Sequence, residues 1–247
     1  MPLFEARDIR KRFGARVVLE NVSLAVDEGT VHGIMGPNGA GKTTFFNVMT
    51  GNFAPDGGRI LFDGRDIAGM RPHRIARLGI SRSFQIMNLF DDTVVIENVM
   101  LALPRFRAQG FNPVRRVFDD RAMIDAGLQV LEQVDLAEAA WEKASDLSYG
   151  QRRALEIAVA LAANPRIVFL DEPTSGLGAE ATRSLAALIR RLRQRYTIVL
   201  IEHDMAFLFD LADRISVIHW GQVIAEDTPA ALRRNKWVAR SALGELA

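Results

Sequence analysis

The chain has 247 residues, 49% of them hydrophobic and 25% charged, enough for one globular core with an inserted subdomain and far from disordered, collagen-like or disulfide-scaffold compositions. Its 31 basic and 30 acidic residues leave a net charge of +1, so no global field draws it to nucleic acid or anionic lipid. It has no cysteine, which excludes disulfides, thiolate metal sites and cysteine nucleophiles.

The opening MPLFEARDIRKRFG alternates apolar and charged residues and lacks the apolar stretch of a secretory signal, so the mature chain is expected to begin there. Residues 3–9, 17–26 with a break near Asn21, and 31–35 read as strands. A helix is expected over 42–49, a strand over 59–62, a turn at Asp63 and Gly64, a helix over 72–78 and a strand over 80–84. Residues 93–135 differ, because they carry helical periodicity with no intervening strand. Met123, Ala126, Gly127, Val130, Leu131 and Val134 would share one face there, which reads as a helical insertion. The segment 154–163 is apolar nearly all round, as a buried helix is. Strands follow at 167–170, 198–201 and 215–218, with a helical stripe of Leu185, Leu188, Ile189 and Leu192 between the first two. Apolar or β-branched runs of this kind belong to parallel strands buried on both faces, and the alternation of strands and helices is that of an α/β fold. No internal repeat is present, and the apolar runs 157–163 and 167–170 fall far short of the ~20 residues that cross a bilayer, so the chain is not itself a channel.

The run Gly36, Pro37, Asn38, Gly39, Ala40, Gly41, Lys42, Thr43, followed by Thr44, fits the phosphate-binding pattern G-x-x-x-x-G-K-[ST] between an expected strand and an expected helix. Glycines let successive backbone N–H groups and a helix N-terminus wrap an anion, Lys42 adds a charge for the β and γ phosphates, and Thr43 offers a hydroxyl to Mg²⁺. Asp171 and Glu172 end an apolar strand, where ligands of open α/β sheets bind. Beside a phosphate loop, Asp171 becomes the Mg²⁺ partner and Glu172 the base that orients attacking water. His203 follows another β-branched strand and should emerge at the same sheet edge. Leu147, Ser148, Tyr149, Gly150 and Gln151 precede the buried helix, with Ser148 in a capping position and Gly150 open to an anion.

In this order and spacing, the phosphate loop, Gln85 after a strand, LSYGQ, LDE and His203 resemble the ATP-binding subunits of ABC transporters along essentially the whole chain. The resemblance implies one ATPase domain over 1–247, with a P-loop NTPase core and a mainly parallel sheet. Residues 1–85 and 164–247 would form that core with an N-terminal antiparallel β subdomain, and about 86–163 an inserted helical subdomain carrying the signature. It further implies a head-to-tail dimer, of two copies or of two related chains, that buries two ATP molecules. Lys42, Thr43, Gln85, Asp171, Glu172 and His203 of one subunit would face Leu147, Ser148, Tyr149, Gly150 and Gln151 of the other. Phe13 would stack on adenine, Gln85 would touch Mg²⁺ beside the groove for membrane subunits, and His203 would sense the γ-phosphate.

Two positions depart from the family pattern. Tyr149 replaces the first glycine of the commoner signature, and Gly178 stands where an Asp usually links the two sites. GISRSFQIMNLFDDTVVIENVMLA, LSYGQRRALEIAVALA, IEHDM and the ending GQVIAEDTPAALRRN look like the ATPases of branched-chain amino acid importers and their urea or short-amide relatives. This implies a cytoplasmic protein, peripheral on the inner face of the membrane, docked on polytopic permease subunits around residues 85–98 and served by a substrate-binding protein. A lipid or lipopolysaccharide exporter ATPase is the alternative within transport. A soluble ABC ATPase of translation or DNA repair usually carries tandem cassettes or a long inserted coiled coil, and this sequence shows one phosphate loop and no sustained heptads. A largely non-hydrolytic partner is suggested only by Gly178, against Glu172 and His203. Nucleic acid is not expected. Arg outnumbers Lys 27 to 4, so the groups Arg71/Arg74/Arg77/Arg82, Arg105/Arg107/Arg115/Arg116 and Arg190/Arg191/Arg193/Arg195 read as solvated helix faces. His32, His73 and His219 are assigned to structure or surface.

Overall fold

A computed structural model describes residues 1–83, 89–104 and 120–235. Ten strands are placed: β1 (Phe4–Phe13), β2 (Arg16–Val26), β3 (Val31–Met35), β4 (Gly57–Phe62), β5 (Arg65–Asp66), β6 (Ile80–Arg82), β7 (Ile167–Asp171), β8 (Thr197–Ile201), β9 (Arg214–His219) and β10 (Gln222–Asp227). The helices are α1 (Lys42–Met49), α2 (Pro72–Arg77), α3 (Val95–Met100), α4 (Arg121–Gln133), α5 (Tyr149–Ala162), α6 (Ala179–Leu192), α7 (Met205–Leu211) and α8 (Pro229–Arg234).

Two sheets form. The smaller is antiparallel in the order β2-β1-β4-β5, and the larger runs β10-β9-β3-β8-β7-β6, parallel except for β10 at its edge. The break expected near Asn21 is a left-handed residue, φ 55°, beside a register shift in the β1–β2 ladder. Residues of β3, β7 and β8 are buried throughout, as the apolar runs 167–170 and 198–201 foretold for the last two. Helix starts follow their caps: Asp120 accepts from Ala122 N, Asp204 from Phe207 N, and Thr228 from Ala231 N with Pro229 next in line.

The larger sheet divides the apolar interior. Val168, Leu170, Ile198 and Leu200 pack into one cluster with α3 to α6, while Ile167, Phe169, Val199 and Ile201 pack into the other with β1, β2, β4 and α1. On the second side Phe4 and Phe46 meet the ring of Phe169 edge-on, with centroids 5.2 and 5.8 Å away. Burying one such ring stabilises the fold by about 2–3 kcal/mol. In α4 the expected face is buried through Met123, Gly127, Val130 and Leu131, with Ala126 at its half-buried margin.

Three expectations need correction. The buried helix expected over 154–163 starts earlier, at Tyr149, and buries Arg153 and Glu156 as an ion pair. Residues 222–227, not expected as a strand, form β10 by pairing with β9. The strand from residue 80 ends at Arg82; Phe84, the end expected for it, lies outside the described residues, as do the part of the helical insertion over 105–119 and the arginines in it. No helix of the described residues is long and apolar enough to cross a membrane.

Candidate functional site

β3 runs between β8 and β9 and delivers the chain into the glycine-rich loop. Gly36 is required there: a Cβ on it would lie 2.0 Å from the carbonyl oxygen of Ile218 at the end of β9, and its φ is 155°. The loop is braced from behind, since Gly221 N donates to Ala40 O at 2.9 Å and Glu20 N donates to Gly221 O at 2.8 Å. It then opens α1, whose cap Gly41 offers no side chain, leaving the first N–H groups of the helix to an external anion. Lys42 is 5% exposed and its Nζ donates to Gly36 O at 2.6 Å and to Pro37 O at 3.0 Å. Burial pushes its amine downward, while Glu172 and Asp171 pull it back up. Asn38, Gly39 and Thr43 are exposed, Pro37 and Thr44 half-buried and Ala40 buried.

β7 and β8 bring the acids to the same end of the sheet, with Asp171 in register with Ile201. Asp171 is 3% exposed, its N–H donates to Ser83 Oγ at 3.4 Å, and its Oδ1 has no hydrogen-bond partner among the described residues. Burial first, then the carboxylates of Glu172 and Glu202, push its acid up to about 6 against the pull of Arg82 and Lys42. An unsatisfied buried carboxylate oxygen and the exposed Thr43 hydroxyl are hard oxygen donors, the kind that suit Mg²⁺. Among the described residues no group of three or more His, Asp or Glu is placed to hold a metal, so the remaining ligands would come from water and phosphate, as is usual for this ion.

Glu172 stands in the left-handed region at φ 45° with its N–H on Ile201 O at 2.8 Å. His203 is exposed, and its Nδ1 lies 4.0 Å from Glu172 Oε1 and 4.0 Å from Glu202 Oε2, beyond hydrogen-bond length. Glu202 was not foreseen. It is fully buried, and one oxygen accepts from both Thr174 N at 2.7 Å and Thr174 Oγ1 at 2.6 Å, clamping the turn after β7 to the end of β8. Burial raises its acid, and the Thr174 hydrogen bonds oppose that rise. Its only signal in sequence is an acid directly after a β-branched strand, the same signal that marked Asp171.

The signature segment lies elsewhere. Ser148 and Gln151 form a reciprocal capping box, with Gln151 N on Ser148 Oγ at 3.4 Å and Ser148 N on Gln151 Oε1 at 3.0 Å. Leu147 is buried beneath them. Ser148, Gly150 and Gln151 line a cleft of about 660 Å³ with Gly178, Glu180 and Ser184, and no residue of the phosphate loop lines it. Gly178 caps α6 without a side chain. Phe13, 46% exposed, stands at the end of β1 edge-on to Phe53 at 5.4 Å, with Lys11 Nζ 5.5 Å from its ring. Gln85 lies outside the described residues.

A family model described as ABC transporter matches residues 19–175. The chain is 41% identical over 251 residues to the high-affinity branched-chain amino acid transport ATP-binding protein BraF of Pseudomonas aeruginosa, covering 99% of this chain and 98% of that protein. Its fold matches the ADP conformation of MJ1267, an ATP-binding cassette of an ABC transporter, with a TM-score of 0.88 at 29% identity over 99% of both chains. It also matches the ATP-binding cassette MJ0796, in a dimeric post-hydrolysis structure bound to ADP and Pi, with a TM-score of 0.76 at 28% identity over 92% of this chain and 98% of that one.

Proposed function

The chain belongs to the ABC transporter family, and we propose that it is the ATP-hydrolysing subunit of an importer for hydrophobic, branched-chain amino acids or small amides. The observation that carries the chemistry is the convergence of the phosphate loop, Asp171, Glu172 and His203 at the carboxyl ends of neighbouring strands. The identity to BraF along nearly the whole chain supports the branch.

In this reading the loop amides and the start of α1 bind the β and γ phosphates, and Lys42 exchanges its own loop carbonyls for phosphate oxygens. Phe13 supplies a ring face for adenine. Thr43, Asp171 and Gln85 would hold Mg²⁺, which would neutralise charge on the transferring phosphate. Glu172 takes the proton of the attacking water, and His203 contacts the γ-phosphate from the side. Leu147, Ser148, Tyr149, Gly150 and Gln151 of a second ATPase subunit close the site, a reading supported by a cleft that Ser148, Gly150 and Gln151 line without any residue of the phosphate loop. A subunit with a helical segment over about 86–163, set between core segments 1–85 and 164–247, provides both halves of such a shared site.

A groove of about 410 Å³ lined by Thr50, Pro72, Arg82, Leu89, Ala102 and Glu156 takes in Leu89 of the expected docking segment 85–98 and is where the permease subunits dock. The protein then sits at the cytoplasmic face of the membrane, and a substrate-binding protein delivers the amino acid on the other side. Tagged Glu172→Gln chain captured with ATP from detergent-solubilised native membranes tests this directly. Polytopic permease subunits, with or without a second ATPase, are the expected companions; ribosomal or DNA-repair proteins with no membrane protein would overturn the transport reading.

A further inference from the structure

Residues 172–176 form the turn that presents Glu172, and α5 grips it at both ends. Tyr149 Oη donates to the carbonyl of Ser175 at 3.1 Å. The phenol ring lies so close to Gly176, at φ 77°, that a Cβ there would stand 2.9 Å from Oη and 3.1 Å from Cζ. One helical turn further on, and so on the same face of α5, Arg153 Nη2 donates to the carbonyl of Glu172 at 3.5 Å. That carbonyl also accepts from Ser175 N at 3.0 Å. Arg153 is held in turn by Glu156, Nη1 to Oε2 at 2.6 Å, with both side chains almost wholly buried. Buried charges that lack such a partner are strongly destabilising, so this pair keeps the guanidinium in place. Glu172 itself has a left-handed backbone, φ 45°, a conformation that a non-glycine residue keeps only where its surroundings over-determine it.

We infer that Tyr149 and Arg153 are positioning residues for hydrolysis, fixing the aim of the Glu172 carboxylate through the backbone of its turn. The inference rests on the ATPase reading above, and it gives the Tyr of LSYGQ a task within its own chain. The phenol that replaces the commoner glycine reaches the segment Ser175 to Gly178, where the usual Asp is missing. It also ties the chemistry of one site to the helix whose N-terminus faces the partner subunit's site. The hydrogen bonds that Tyr149 and Arg153 make to this turn lie within their own chain, and through the turn they act on Glu172.

The test is steady-state ATP hydrolysis by the full chain, in the assembled transporter, for Tyr149→Phe, which keeps the ring and deletes one hydrogen bond. The expected result is a fall of about fivefold in kcat, larger than any change in KM for ATP. In a Glu172→Gln background Gly176→Ala is expected to leave the residual rate where it was, because the group being aimed is gone. Gly176→Ala, which drives a methyl into the Tyr149 ring, is the second variant and should show the same pattern, with a smaller effect when Tyr149→Gly is also present. If the wild-type chain neither binds nor hydrolyses ATP, the ATPase reading itself fails. If it does, the inference is overturned by any of three results: unchanged kcat in both variants, a change in KM alone, or an equal loss in the Glu172→Gln background.

Discussion

His32 provides a measurement of how the sheet beneath the phosphate loop responds to acid. It sits in β3 at 2% exposure, with Nε2 at 2.9 Å from Ser216 Oγ, and that hydroxyl donates to Glu226 Oε2 at 2.7 Å. The relay assigns the proton of the neutral ring to Nε2 and leaves Nδ1 to be charged at low pH. Burial pushes the imidazole from its ordinary 6.5 down to about 4, with Arg214 pushing the same way and Glu226 and Asp27 opposing. The unfolded chain therefore binds a proton near pH 6.5 that the folded chain refuses until about pH 4, so the stability contributed by His32 is fully present above 6.5 and is lost as pH falls through that window. The loss is about 2 kcal/mol at about pH 5 and about 3 kcal/mol below both values. Urea unfolding at about pH 8 and about pH 5 measures it in the wild type and in His32→Gln, whose amide can keep the bond to Ser216. Other titrating groups cancel in the difference, so the variant should lose about 2 kcal/mol less than the wild type over that interval. Equal losses in the two proteins would refute the argument.

Other consequences are as direct. Asp171→Asn removes a buried charge whose acid is pushed up to about 6, and without nucleotide it should raise stability at neutral pH by about 3 kcal/mol in denaturant titration, while abolishing Mg²⁺-dependent hydrolysis. Glu172→Gln should lower turnover by about 10²-fold or more in a phosphate-release assay and leave ATP bound in a stable dimer by size-exclusion chromatography. Lys42→Ala should abolish nucleotide binding by calorimetry, since it removes the ammonium that the loop carbonyls of Gly36 and Pro37 hold in place for phosphate. Phe13→Ala should weaken ATP binding by about threefold to tenfold, the worth of one aromatic stack, with kcat unchanged at saturation.

What was legible in the sequence follows the range over which each feature is specified. The runs in β7 and β8 could be read because burial on both faces favours apolar residues, Val31–Met35 because a short, mostly apolar segment leads into the glycines, and the loop after β3 because phosphate binding dictates those glycines. The break at Asn21 showed because a local backbone reversal favours that residue type. β10 did not show: its half-buried QVIAED gains strand character only from pairing with β9. Arg153 and Glu156 at helical spacing look like a solvated pair, and nothing local tells that α5 turns them inward. Glu202 is understood only through Thr174, which reaches it from another strand's end. The assignment of Ser148 and Gly150 to a neighbouring subunit's site rests on family resemblance and not on the geometry of a single subunit.

Each central strand of the larger sheet speaks to two audiences. Val168 and Phe169 adjoin in the chain, yet Val168 belongs to the cluster with the helices and Phe169 to the cluster with Phe4 and Phe46. A volume change at Phe169 is open to compensation at Phe4 or Phe46, and one at Val168 is not. Paired replacements in the history of this chain should therefore accumulate within one face, and the sheet between them acts as a wall separating two populations of coevolving sites.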